Sequence, residues 1–184
     1  IVREDRRRWL VFSDGLGVGA ALAEQLRAAG AWCGQVYPGA SFGLAQADTW
    51  QVDPARPEDL QRLLAEVRAQ DLHGIVYAWS LDSPSVQTMT QQDLHVFGRR
   101  TCGSCLSLVQ ALAKTAARPR LWLVTQGVQA VSAGQPVPGL AQAPLWGLGR
   151  VLALEHPELW AGLVDLDGRA EPGQASRWLL EELG

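Results

Sequence analysis

Residues 144–167 read PLWGLGRVLALEHPELWAGLVDLD, and this stretch decides the fold. Trp146, Leu148, Val151, Leu152 and Leu154 recur at helical spacing, and Pro157 punctuates the run. Gly162 to Asp167 then reads as a short apolar strand with an acidic end. A helix laid against a sheet and fed into it is the second half of a β-α-β unit.

The same alternation runs outward from there. Trp9–Phe12, Trp32–Tyr37, Trp50–Val52, Gly74–Trp79 and Arg120–Thr125 are short apolar strands. Between them, Ala20–Ala29 is a helix stopped by Gly30, and Pro57–Ala69 is a helix with Leu60, Leu63, Leu64 and Val67 as its buried stripe. A long helical stretch covers about Asp93–Ala116, and Ala175–Leu183 is a final helix. Ala40–Ala47, Ser80–Gln91 and Gln126–Gln142 read as loops. The expectation is an α/β fold with a doubly wound, mostly parallel sheet, in a single unit spanning 1–184.

Composition excludes several functions. A net charge of −3 gives no face for nucleic acid, and the one basic cluster, Arg6–Arg8, has Glu4 and Asp5 beside it and reads as a solvated edge. No apolar run is long enough to span a bilayer and no secretory signal opens the chain. Three cysteines make no disulfide framework, so a reducing cytoplasm is the default. The chain starts at Ile1 without Met and stops at Gly184 after a helix, so both ends are expected to be cut from something larger. Most of the eight Trp occupy core positions by pattern.

Gly15, Gly17 and Gly19, after the first strand and before the first helix, form the strongest local motif. Such glycines permit a tight turn and let backbone approach a pyrophosphate at a helix N-terminus. Here Asp14 puts a negative charge beside that site. No Asp or Glu closes the second strand at Tyr37-Pro38-Gly39 to take a ribose hydroxyl, and no Arg or Lys waits there for a 2′-phosphate. The turn reads as vestigial, with no cofactor bound.

The remaining candidates read as structural. Cys102-Gly103-Ser104-Cys105 lies inside a helical stretch, so it reads as two small buried thiols, not a redox pair. His73, His95 and His156 are scattered and make no metal site. Ser13, Ser80, Ser104 and Ser132 sit in no hydrolase elbow. Asp165 and Asp167 share one side of a strand and read as solvated strand-end acids.

WLVFSDGLGVGAALAEQL, GIVYAWSLD, CLSLVQALA, LWLVTQGV and the quoted stretch at 144–167 together resemble the ketoreductase region of modular type I polyketide synthases. More narrowly, they resemble its N-terminal structural subdomain. The resemblance implies a truncated Rossmann-like fold of the short-chain dehydrogenase/reductase type. It also implies that this chain braces a second half, which binds NADPH and reduces β-ketoacyl groups on an acyl carrier protein. Partners would be that half and neighbouring synthase domains: dehydratase, methyltransferase or acyl carrier protein.

The residues agree. Short-chain reductase chemistry needs a Tyr proton donor with a Lys four residues on, and the matching helix carries Trp146 and Arg150. An indole N–H is no useful acid and a guanidinium stays charged. No catalytic residue is therefore assigned. A remnant beside a C-methyltransferase, a free-standing NAD(P)-dependent oxidoreductase and a Rossmann-like methyltransferase are the alternatives. The last lacks its acid on the second strand. A partner-docking surface with no reductase history would require exposed Trp clusters.

Overall fold

The computed structural model describes residues 7–130, 132 and 134–184. Ile1, Glu4, Asp5 and Arg6, named above, lie outside the described residues. Seven strands form one sheet: β1 (Arg8–Phe12), β2 (Trp32–Pro38), β3 (Gly43–Gln46), β4 (Thr49–Val52), β5 (Gly74–Tyr77), β6 (Arg120–Gln126) and β7 (Trp160–Leu166). Their order is β3-β4-β2-β1-β5-β6-β7. Every pairing is parallel except β3 with β4. The doubly wound, mostly parallel sheet read from the sequence is the one observed.

Five helices cover the two faces: α1 (Val18–Ala28), α2 (Pro57–Glu66), α3 (Gln91–Ala113), α4 (Ala143–Glu155) and α5 (Pro172–Leu183). Each begins where local chemistry allows. Pro57 opens α2 with Glu58 and Asp59 in its first turn, where an amide hydrogen is spare and negative charge is favoured. Thr90 and Asp93 cap each other's backbone at the start of α3. One core packs α2, α3 and α4 against Leu10, Phe12, Ile75, Tyr77, Leu121 and Leu123. The other packs α1 and α5 against Trp9, Val11, Val76 and Val124. The parallel strands are apolar on both faces because both faces are covered.

Several expectations change. Gly43–Gln46, read as loop, is an antiparallel edge strand. Its residues have little strand preference of their own. A tight turn through Asp48, at φ 55°, folds them back on β4. Arg8 is half-buried, not a solvated edge, with its guanidinium carbon 3.9 Å from the Trp32 ring centroid. The largest change concerns α4: Leu145, Gly149 and Leu152 face the sheet, whereas Val151 and Leu154, expected in the buried stripe, are 45% and 83% exposed.

Candidate functional site

The glycine turn joins β1 to α1 at the C-terminal edge of the sheet, where open parallel sheets place ligands. Gly17 has φ 103°, a conformation that a side chain rarely tolerates. Gly19 serves packing, since an added Cβ would lie 2.7 Å from Ser13 Cα. Backbone N–H groups converge on the mouth of α1, as an anion would require.

That position is filled from within the chain. Asp14, 1% exposed, accepts from the Leu16 and Val18 amides at Oδ2 (3.0 and 3.2 Å) and from the Gly19 amide at Oδ1 (2.6 Å). Gly15 N–H donates to Asp82 Oδ1 at 2.7 Å. The sequence placed Asp14 beside a phosphate site as a repulsive neighbour. In the structure its carboxylate is itself the anion on those amides. Burial pushes the Asp82 carboxyl up, the Gly15 hydrogen bond opposes that shift, and Asp14 adds to it.

The end of β2 is equally occupied. Gln35 donates through Nε2 to Tyr37 Oη (2.9 Å) and Ser13 Oγ (3.2 Å). A cation does lie along this strand, though not at the Tyr37–Gly39 end that the sequence reading left without one: Arg27, from the last turn of α1. It is turned inward, donating to the Cys33 carbonyl at 2.7 Å and to Gln35 Oε1 at 3.2 Å. Sequence reasoning misses it because it belongs to a helix and reaches the strand only in three dimensions.

At the end of β6, Thr125 is fully buried and donates to Asp165 Oδ1 at 2.8 Å, while Trp146 Nε1 donates to Thr125 Oγ1 at 3.1 Å. Asp165 also accepts from the Val128 and Gln129 amides (3.0 and 2.8 Å at Oδ2). It is half-buried, pinning the loop after β6, and not the solvated acid expected. Asp167 is exposed and accepts from the Arg169 amide at 2.9 Å. Arg150 is exposed. Trp146 and Arg150 therefore stand as one indole spent on a threonine and one guanidinium in solvent.

The other candidates do not converge. Tyr77 is fully buried, its hydroxyl 2.6 Å from Ser104 Oγ and donating to the Thr101 carbonyl at 2.9 Å, and burial pushes its pKa well up. Ser13 and Ser80 are buried, Ser80 on the Val124 carbonyl, and Ser132 is exposed. Cys105 is buried and Cys102 half-buried, both thiols pushed up by burial. His73 meets Trp9 edge-on at 5.0 Å, and His156 pairs with Glu158 at 3.2 Å. Among the described residues no group of three His, Cys, Asp or Glu could hold a metal, and no helix is long and apolar enough to cross a membrane. Of the Trp residues, Trp9, Trp50 and Trp79 are buried, Trp32, Trp122, Trp146 and Trp160 are half-buried and Trp178 alone is exposed, so they form no exposed cluster.

Two features were not legible in the sequence. One is an apolar groove between α3 and α4, with Leu94 and Leu106 (41% and 43% exposed) on one side and Pro144 and Leu148 on the other, over Gly98 and Cys102. The other is a cleft of about 890 Å³ between the ends of β2 and β4 and the flank of α3.

Comparison with known proteins places this geometry. Residues 18–182 match the family model described as polyketide synthase extender module SpnB, Rossmann fold domain. The chain is 50% identical over 72 residues to the polyketide synthase GfsB of Streptomyces halstedii, covering 39% of this chain and 1% of that protein. It is 33% identical over 144 residues to a phenolphthiocerol/phthiocerol polyketide synthase of Mycobacterium tuberculosis, covering 74% of this chain and 9% of that one. A C2-type ketoreductase from a modular polyketide synthase superimposes with a TM-score of 0.67 at 30% identity, over 96% of this chain and 35% of that chain. The chain thus spans a small fraction of the synthases it matches and about a third of the ketoreductase.

Proposed function

This chain belongs to the family of Rossmann fold domains of polyketide synthase extender modules, and we propose that it is the structural half of a ketoreductase region, bracing a second half that carries the NADPH chemistry. The observation that carries this reading is the outer face of α4. Pro144, Gly147, Val151 and Leu154 are exposed there and Leu148 half-exposed, one turn apart, continuous with the apolar groove against α3. A helix apolar on its solvent side as well as its core side is made to be covered. The occupant we assign is the second Rossmann half.

Catalysis then lies outside this chain. Reduction of a β-ketoacyl group needs a proton donor of usable pKa beside the carbonyl. Trp146 offers an indole N–H already donated to Thr125, and Arg150 cannot exchange its charge. The dinucleotide's place at the turn is taken by Asp14. What this chain supplies is a supporting layer whose glycine turn and the loop after β6 are held by Asp14 and Asp165, so that the apolar face of α4 is presented from an internally bonded sheet edge.

The reading is tested by expressing the chain together with the second half of its own ketoreductase region, as one polypeptide and as two. The double variant Val151→Asp/Leu154→Asp is expected to fold alone as wild type does, since both side chains are exposed. It should lose co-purification with the second half and lower the NADPH-dependent ketoreduction of the pair. Full activity and undiminished association in that variant would remove the brace reading. So would saturable NADPH reduction chemistry by the isolated chain.

A further inference from the structure

The cleft of about 890 Å³ has no part in the bracing role. It opens at the C-terminal ends of β2 and β4, on the edge of a parallel sheet that receives ligands, and its size falls within the range of about 300–1,000 Å³ for small-molecule sites. One wall is α3, which contributes His95, Arg99 and Arg100. The opposite wall is the turn after β4, with Asp53 and Pro54, and the floor includes Gly39.

Its charges are unspent. Neither the Arg99 nor the Arg100 guanidinium makes a hydrogen bond or ion pair to any described residue, in contrast to Arg27, Arg62 and Arg68. Both are exposed at the cleft wall, and Arg100 lies within electrostatic reach of Asp82 beside the glycine turn. In a protein of net charge −3, two guanidiniums and an imidazole on one cleft wall make a local anion site. Guanidinium forks suit phosphate oxygens in particular. Across the cleft, Asp53 uses Oδ1 for the Ala55 amide at 2.9 Å, which leaves Oδ2 to accept from a ligand.

We infer that this cleft binds an organic phosphate ester: its phosphate on Arg99 and Arg100, its body over the Gly39–Pro54 floor, and an O–H or N–H group on Asp53. A dinucleotide is not the ligand, because the turn that would take its pyrophosphate is filled by Asp14. Two sources carry the required chemistry, a nucleoside phosphate and a phosphopantetheine arm. The cleft adjoins the bracing face, since His95, Arg99 and Gly103 also line the groove between α3 and α4, but Arg100, Asp53 and Gly39 lie outside that groove and the titration is made on the chain without its second half.

Isothermal titration calorimetry of the intact chain tests it, with 2′,5′-ADP, phosphopantetheine and inorganic phosphate as probes. One or both organic phosphates should bind saturably and at least ~10-fold more tightly than inorganic phosphate. The tighter of the two names the source, and either outcome supports the site. Arg99→Ala/Arg100→Ala should weaken that binding by roughly 100-fold, from two lost charge-assisted contacts. Asp53→Asn keeps the Oδ1 acceptor for Ala55 and should weaken only the organic phosphates. Because all three side chains lie at the surface of the cleft, circular dichroism should report unchanged folding. The inference is overturned by any of three results: no saturable binding below ~10 mM, equal binding of inorganic phosphate (an adventitious ion only), or affinity indifferent to the arginine pair. A polyglutamate peptide that binds better than either organic phosphate would also overturn it.

Discussion

Replacing Asp14 with alanine strips three backbone amides of one acceptor. Leu16 lies on an exposed part of the turn and can turn to water, so its amide adds little. The Val18 and Gly19 amides sit in buried residues at the first turn of α1, where Gly17 gives no side-chain cap. A buried amide left unpaired costs about 1–3 kcal/mol, and losing a helix cap costs about 0.5–2 kcal/mol. These overlap, and relief of the carboxylate's own burial offsets part of them, so the expected loss is about 2–4 kcal/mol. Urea unfolding followed by the fluorescence of the eight Trp would measure it. The sharper test is rescue. The emptied turn is an anion site, so inorganic phosphate should restore stability in Asp14→Ala, by about 1.4 kcal/mol at ten times its Kd. The comparison is made in an Arg99→Ala/Arg100→Ala background, so that the cleft takes no part. If Asp14→Ala lies within ~0.5 kcal/mol of its parent, or phosphate stabilises both equally, the carboxylate is not a stand-in for an anion.

Three other outcomes follow from particular contacts. Gly74→Ala should cost about 1–3 kcal/mol in the same assay, because its Cβ would lie 2.5 Å from Trp9 and 2.7 Å from Trp122 with both rings packed; a neutral result would mean the two indoles shift freely. Asp82→Asn keeps an acceptor for Gly15 but removes a carboxylate whose pKa is raised by burial and by Asp14. A raised pKa means the folded state holds the proton more tightly, so ionised Asp82 lowers stability as pH rises. The variant should therefore be the more stable at pH 7, with the difference shrinking as pH falls into the carboxylate range near ~4; urea midpoints across pH would decide, and a constant difference would refute it. Burial raises the Cys33 thiol to about 12 and the Cys105 thiol well above its ordinary value, whereas Cys102 is half-buried. Titration with a thiol reagent at pH 8 should find at most one reactive thiol in the folded chain and three after denaturation, and three in the folded chain would contradict the burial.

The alternation of strand and helix was legible because it rests on local periodicity, and the order in which Leu60, Leu63 and Leu64 meet the core followed from spacing alone. Asp14 was legible as an oddity but not as a ligand, since its partners at Leu16, Val18 and Gly19 depend on how the turn closes. Asp165 was legible as a strand residue but misread as solvated. Its bonds to Thr125, Val128 and Gln129 join positions 36 to 40 residues apart, and only the β6–β7 register brings them together. Val151 and Leu154 misled for a physical reason: periodicity reports that a residue is apolar, not which partner will cover it. An interface stripe and a core stripe have the same spacing.

That ambiguity bears on how far the chain stands from reductase chemistry. Polar groups at three strand ends are turned onto other parts of this chain: the turn amides onto Asp14 and Asp82, Gln35 onto Ser13 and Tyr37, Thr125 onto Trp146 and Asp165. These are separate networks at the ends of three different strands, so no single substitution reverses them. Freeing the turn at Asp14 leaves an indole where a phenol is required, and Trp146→Tyr leaves the anion site filled. The apolar face of α4 is under the opposite pressure, since it lies open to solvent unless something covers it. The bracing proposal therefore stands or falls on whether that face of α4 is covered.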